Sequence, residues 1–162
     1  MIWVQAYAIL WVVVNAYVSL KSMREPEEKK HKEYEDNIEN LLNLISMTPL
    51  SNSIIAGILL AVALFAISFD TVGLLLTHNY VVFRDWEATV FAIIVVSYFV
   101  SVVKDMFYLI KTAKVFQSDA TNDEIMNYLR NNRPKRNLFT YTAMFGKTLA
   151  AVKLTLFTVF QN

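Results

Sequence analysis

Residues 53–76 read SIIAGILLAVALFAISFDTVGLLL, and in this run Asp70 is the one ionisable side chain. A stretch of about 18 or more apolar residues is long enough to cross the hydrocarbon core of a bilayer as a helix, whereas soluble core helices rarely need one. Three further runs of the same kind, 2–20, 88–110 and 138–160, lie on either side of it. At about 19–24 residues each, all four are long enough to span with modest tilt. The composition agrees. Of 162 residues, 56% are hydrophobic and only 18% charged, and the mean hydropathy is +0.38. The run at 2–20 lacks a basic leading segment and a small-residue cleavage site before Lys21, so it reads as a retained helix and not a signal peptide.

The connections set the orientation. The segment 21–52 carries Lys21, Arg24, Lys29, Lys30 and Lys32, and 111–137 carries Lys111, Lys114, Arg130, Arg133, Lys135 and Arg136. The short segment 77–87 holds only Arg84. Cytoplasmic loops accumulate lysine and arginine, so both long loops are expected in the cytoplasm and both termini on the opposite side. Trp3, Tyr80 and Trp86 then fall at the outer interface, with Tyr108 and Tyr141 near the inner one, as in an aromatic belt. The expected fold is an all-α integral membrane protein of four transmembrane helices with two helical cytoplasmic loops. The expected membrane is a plasma membrane or an organelle inner membrane.

Both long loops carry helical signals. Between Pro26 and Pro49, Tyr34, Ile38, Leu41, Leu42 and Ile45 recur at helical spacing, which predicts an amphipathic helix over about 26–48. It would lie on the membrane, fold against the bundle or dock a partner. Thr121 and Glu124 have capping-box spacing, which predicts a short helix over about 122–131. Arg130, Arg133, Lys135 and Arg136 directly precede the fourth run, as a topology signal or a surface for anionic lipid headgroups.

Charges inside a bilayer cost at least about 2.5 kcal/mol at a helix centre and usually face protein or water. Here they are Asp70, Lys104, Asp105, Lys147 and Lys153. Counted from the inner ends at 1.5 Å per residue, Asp70 lies roughly 25 Å deep and Lys153 roughly 22 Å, so these two are expected to form a structural ion pair. Ala63, Ala66, Asp70 and Gly73 share one face, where the fourth helix is expected to dock, and Gly57 with Ala61 forms a small-residue pair on the opposite face. Ser97, Ser101, Lys104 and Tyr108 make a polar stripe on the third helix. Lys147 lies on a threonine-lined stripe of the fourth, within reach of Asp105 by snorkelling. These stripes are a candidate polar path, with Asn15 nearby. An interfacial cationic fourth helix is the weaker alternative, because its lysines point to two faces.

Little speaks for catalysis. His31 and His78 have no partner at metal-ligand spacing, cysteine is absent, and three glycines leave no phosphate-cradling loop. No catalytic residue, metal site or cofactor is expected, and a net charge of +1 gives no pull toward nucleic acid. The leading expectation is a non-catalytic small subunit or scaffold of a larger membrane complex, with the bilayer and other subunits, or copies of itself, as partners. The alternative is a small oligomeric transporter or channel-type protein with its path near Lys147, Ser97, Ser101 and Lys104. A lipid-modifying enzyme ranks third.

Overall fold

The computed structural model describes residues 2–45, 51–118 and 120–160, apart from the side chains of Ile45 and Ser51. The expected helix end at Pro49 and residues 46–48 lie outside them. All secondary structure among the described residues is helical: α1 (Ile2–Arg24), α2 (Glu27–Ile45), α3 (Ser51–Tyr80), α4 (Asp85–Gln117), α5 (Asn122–Asn132) and α6 (Leu138–Thr155), with a π-helical turn at Leu156–Phe160. Four of these are long and apolar enough to cross a membrane: α1, α3, α4, and α6 with its π turn. That marks the chain as a membrane protein.

Helix is the conformation such sequences must adopt in lipid, where no water can satisfy a free backbone N–H or C=O. The exposed apolar side chains measure the span. Setting aside the amphipathic Tyr80 and Trp86 at the ends, on α3 they run from Ile54 to Leu75, on α4 from Val90 to Ile110, and on α6 with its π turn from Leu138 to Phe160. At 1.5 Å per residue each belt is about 30–33 Å long, close to the thickness of a hydrocarbon core. Their exposure is what lipid contact requires. In water such belts would far exceed the patches that monomeric proteins tolerate.

The helix boundaries depart from the sequence expectation mainly by extension. α3 and α4 run to 30 and 33 residues, so the connection between them shrinks from 77–87 to 81–84. Val81 N–H still bonds Thr77 C=O at 3.0 Å, which carries the helical pattern past Tyr80. Asp85 and Glu87 sit in the first turn of α4, where acidic residues complement the helix dipole. Thr121 caps α5 by accepting from Glu124 N–H at 3.3 Å, and Pro134 follows that helix, unable to continue it. Asn137 caps α6 by accepting from the N–H of Thr140 at 3.0 Å and from its hydroxyl at 3.1 Å.

The chain divides into two compact units. The first comprises Met1–Arg24, Ala66–Val102 and Arg136–Asn162. In it α1 and α6 pack antiparallel along their length: the Gln5 side chain donates to Thr158 C=O at 2.6 Å, and at the other end the Ser19 and Thr148 hydroxyls meet at 2.8 Å. Every third or fourth residue of α1 from Ala8 to Ser22 is buried, as are Ala143, Gly146, Ala150, Ala151 and Leu154 of α6. Small residues on α6 allow the close approach that packing in lipid depends on.

The second unit comprises Glu25–Phe65 and Val103–Lys135. Its apolar centre holds Ile38 and Leu42 of α2, Ile55 and Ala56 of α3, Phe116 of α4, and Ile125 and Leu129 of α5. Among the described side chains the apolar stripe of α2 is therefore occupied by its own unit, while Leu44 is exposed. Glu35 of α2 pairs with Arg130 of α5 at 3.3 Å. Burial in this unit, with the Tyr108 phenol a smaller contribution, pushes the Tyr34 phenol well above its ordinary value of 10.0.

Candidate functional site

The polar groups of the first unit converge on Asp70. Its Oδ2 accepts from Lys147 Nζ at 2.8 Å and its Oδ1 from Trp11 Nε1 at 3.0 Å. Both side chains of the ion pair are largely covered, 18% exposed for Lys147 and 16% for Asp70. The Lys147 ammonium also lies 5.6 Å from the centre of the Tyr98 ring, within range of a cation–π attraction. The Tyr98 hydroxyl donates to Ile67 C=O at 2.9 Å and meets the Thr71 hydroxyl at 2.9 Å. Tyr7 donates to Phe69 C=O. Four helices thus contribute to a layer one turn thick.

The packing explains why this carboxylate can be there. Gly73 lies one turn beyond Asp70, and a Cβ on it would sit 2.7 Å from Trp11 Cζ2, well inside the ring's van der Waals surface. Only glycine leaves room for the indole to lie against α3 and present its N–H to Asp70. Gly146 does the same one residue before Lys147: a Cβ there would meet Ile94 Cγ1 at 2.6 Å, so glycine lets α4 approach α6. A carboxylate in hydrocarbon needs each oxygen engaged, and here each has a donor.

The structure corrects the expected pairing of Asp70 with Lys153. Lys153 instead bonds Glu87 at 2.8 Å and stays half exposed. Counting depth from the inner helix ends fails because it assumes that α3 and α6 start at one level, and residue spacing along one helix does not fix the height of its neighbour. Counted back from Tyr80, Asp70 lies about 15 Å along α3, and Lys147 lies about 9 Å before Lys153 on α6. Fastening Lys153 to the first turn of α4 leaves Lys147 as the lysine level with Asp70. The sequence reading also assigns Glu87 to a loop and so overlooks it as an ion-pair partner. Trp11 carries no sequence signal beyond a tryptophan in mid-span.

Other expectations change as well. Lys147 goes to Asp70 and not to Asp105, which is exposed. The face of α3 bearing Gly73 receives Trp11 of α1 where the fourth span was expected, and α6 reaches Asp70 on that face through Lys147. On α4, Ser97 is buried, the Ser101 hydroxyl is buried without a hydrogen-bond partner, and Lys104 is exposed. Thr148 joins α1 by donating to Asn15 C=O at 3.2 Å, and Asn15 bonds back to Trp11 C=O at 2.9 Å. In the basic cluster Arg130 is engaged by Glu35 and Arg136 is half-buried, while Arg133 and Lys135 are exposed. No group of histidine and acidic side chains that would hold a metal occurs among the described residues.

Comparison with known protein families, with curated proteins and with solved structures finds no match to this chain.

Proposed function

We propose that this chain is a non-catalytic small subunit or scaffold of a larger membrane complex. The observation that carries this reading is that the most deeply covered charges, Asp70 and Lys147, are closed on each other within the chain. Asp70 is saturated by Lys147 and Trp11, and Lys153 is held by Glu87. A substrate entering the centre would have to displace a charge-assisted hydrogen bond in a low-dielectric site. The outer surface, by contrast, is free to engage other helices. Gly57 and Ala61 are exposed on α3, and a Cβ on Gly57 would meet nothing within 4 Å. Close helix approach in membranes uses such small-residue faces.

The proposed orientation places both termini on the non-cytoplasmic side of a plasma membrane or organelle inner membrane, with α2 and α5 in the cytoplasm. Support comes from the lysines and arginines of the two long connections. The absence of cysteine makes this testable: single cysteines at Glu39 and at Trp86 should be labelled by an impermeant thiol reagent from opposite sides.

Purification in mild detergent followed by mass spectrometry tests the subunit reading. A partner in fixed stoichiometry is the expected result, and Gly57→Leu should release it. A homogeneous homo-oligomer free of any partner would overturn the reading. The orphaned Ser101 hydroxyl favours a second reading, a small oligomeric transporter or channel-type protein. A buried hydroxyl without a protein partner is what a hydrated interior would produce. Its path would follow Ser97, Ser101, Lys104 and Lys147, and anion flux in liposomes that vanishes with Lys147→Ala but survives Lys147→Arg would establish it.

A further inference from the structure

A cleft of about 360 Å³ opens where the 81–84 turn meets the end of α6, lined by Val81, Val82, Lys153, Leu156 and Phe157. We propose that it holds an acidic phospholipid of the surrounding bilayer, with the phosphate on Lys153 and an acyl chain along the apolar wall. This inference does not depend on the subunit reading.

Several features point to that ligand. The volume falls in the range of small-molecule sites, which combine apolar walls with a few convergent polar groups. Four of the five lining side chains are apolar and the fifth is a cation, while polar atoms, from Lys153 and the backbone, make up the larger part of the cleft's open surface. The cleft also lies at the end of the apolar belt. Exposed Tyr80 and Trp86 flank the turn, and amphipathic aromatic rings favour the headgroup level. An acyl chain can therefore enter from the lipid while its headgroup stays at the water interface.

The charges select the head. An ammonium has three N–H donors. One of Lys153 is on Glu87 at 2.8 Å, and with the side chain 46% exposed its ammonium keeps two further donors for a ligand. Glu87 is only 15% exposed, already receives Lys153, and has Arg84 at 3.9 Å. It has little left to offer the ammonium of a zwitterionic headgroup. An anion on Lys153 is thus the favoured contact. The π turn at Leu156–Phe160 shapes the wall, since its extra residue re-aims Leu156 and Phe157 relative to a continuing α-helix.

The cysteine-free chain allows a direct test. Val82→Cys puts a thiol at the most exposed position of the lining, and Tyr80→Cys serves as a control at the same level outside it. Both are modified with an uncharged maleimide in nanodiscs of phosphatidylcholine, with and without phosphatidylglycerol. Phosphatidylglycerol should slow Val82→Cys relative to Tyr80→Cys by about fivefold, the effect of one lysine–acidic lipid contact. Lys153→Gln should abolish that protection and Lys153→Arg should preserve it. The double variant Glu87→Gln/Lys153→Gln leaves no unpaired carboxylate and should also lose protection, which separates ligand loss from misfolding. Equal slowing at both cysteines, or protection that survives the double variant, would overturn the proposal. So would equal protection by inorganic phosphate, which would indicate a free-anion site, or by oleate in phosphatidylcholine alone, which would indicate a fatty-acid site.

Discussion

Replacing Asp70 with asparagine keeps the acceptor for Trp11 Nε1 and removes only the charge facing Lys147. At the observed 2.8 Å separation, the attraction between unit charges is about 6 kcal/mol at an effective dielectric constant of 20. Desolvating two ions costs several kcal/mol each, so the intact pair is close to break-even against a neutral pair of similar shape. A single substitution is different, because it strands the other charge. An unpaired buried partner costs about 3–5 kcal/mol, and an isolated charge at a helix centre about 2.5–3.5 kcal/mol on insertion scales. Each of Asp70→Asn and Lys147→Met should therefore destabilise the protein by about 3 kcal/mol. The double variant should fall within about 1 kcal/mol of the parent, which makes the coupling energy about 5 kcal/mol. Reversible unfolding in mixed micelles, followed by circular dichroism on all four proteins, measures it. If the two single effects simply add, the Asp70–Lys147 pair has no energetic meaning. If Asp70→Asn couples instead to Lys153→Met, the level assigned to α6 is wrong.

Three further outcomes follow from particular contacts, the first two checked by the same unfolding measurement. Gly73→Ala should cost about 1–3 kcal/mol by forcing the Trp11 ring off α3, whereas Gly57→Ala, which adds a methyl to open space, should be neutral or stabilising by up to about 1 kcal/mol. The Lys153–Glu87 pair is half exposed on its lysine side, so water screens it and Glu87→Gln should shift the unfolding transition far less than Asp70→Asn. Because burial raises the Tyr34 phenol in the folded chain, the unfolded phenol ionises first as pH rises above its ordinary 10.0. The stabilisation is complete below that pH and is lost above it. Thermal melts at pH 9 and 11 should show an alkaline loss that is smaller in Tyr34→Phe, and an equal loss in both would disprove the assignment.

Local pattern alone determined which parts of this chain are helical and which four helices can cross a membrane. Both properties depend on consecutive residues: a run of apolar side chains long enough for hydrocarbon, and a backbone that must satisfy its own hydrogen bonds there. The amphipathic stripe at Ile38 and Leu42 and the capping pair Thr121 and Glu124 are equally local, and they too can be read by eye. The partner of each charge was not legible. Asp70 has lysines at two plausible depths on α6, and spacing along one helix says nothing about how far a neighbouring helix has slid. That offset is set by Gly73 beneath the Trp11 ring, by Gly146 against Ile94, and by Glu87 holding Lys153, contacts between residues about 60 or more apart in the chain for all but one of them. Steric fit between helices fixes their relative height to within a turn, and a slide of about 9 Å, under two turns, is the difference between an acid that pairs with Lys153 and one that pairs with Lys147.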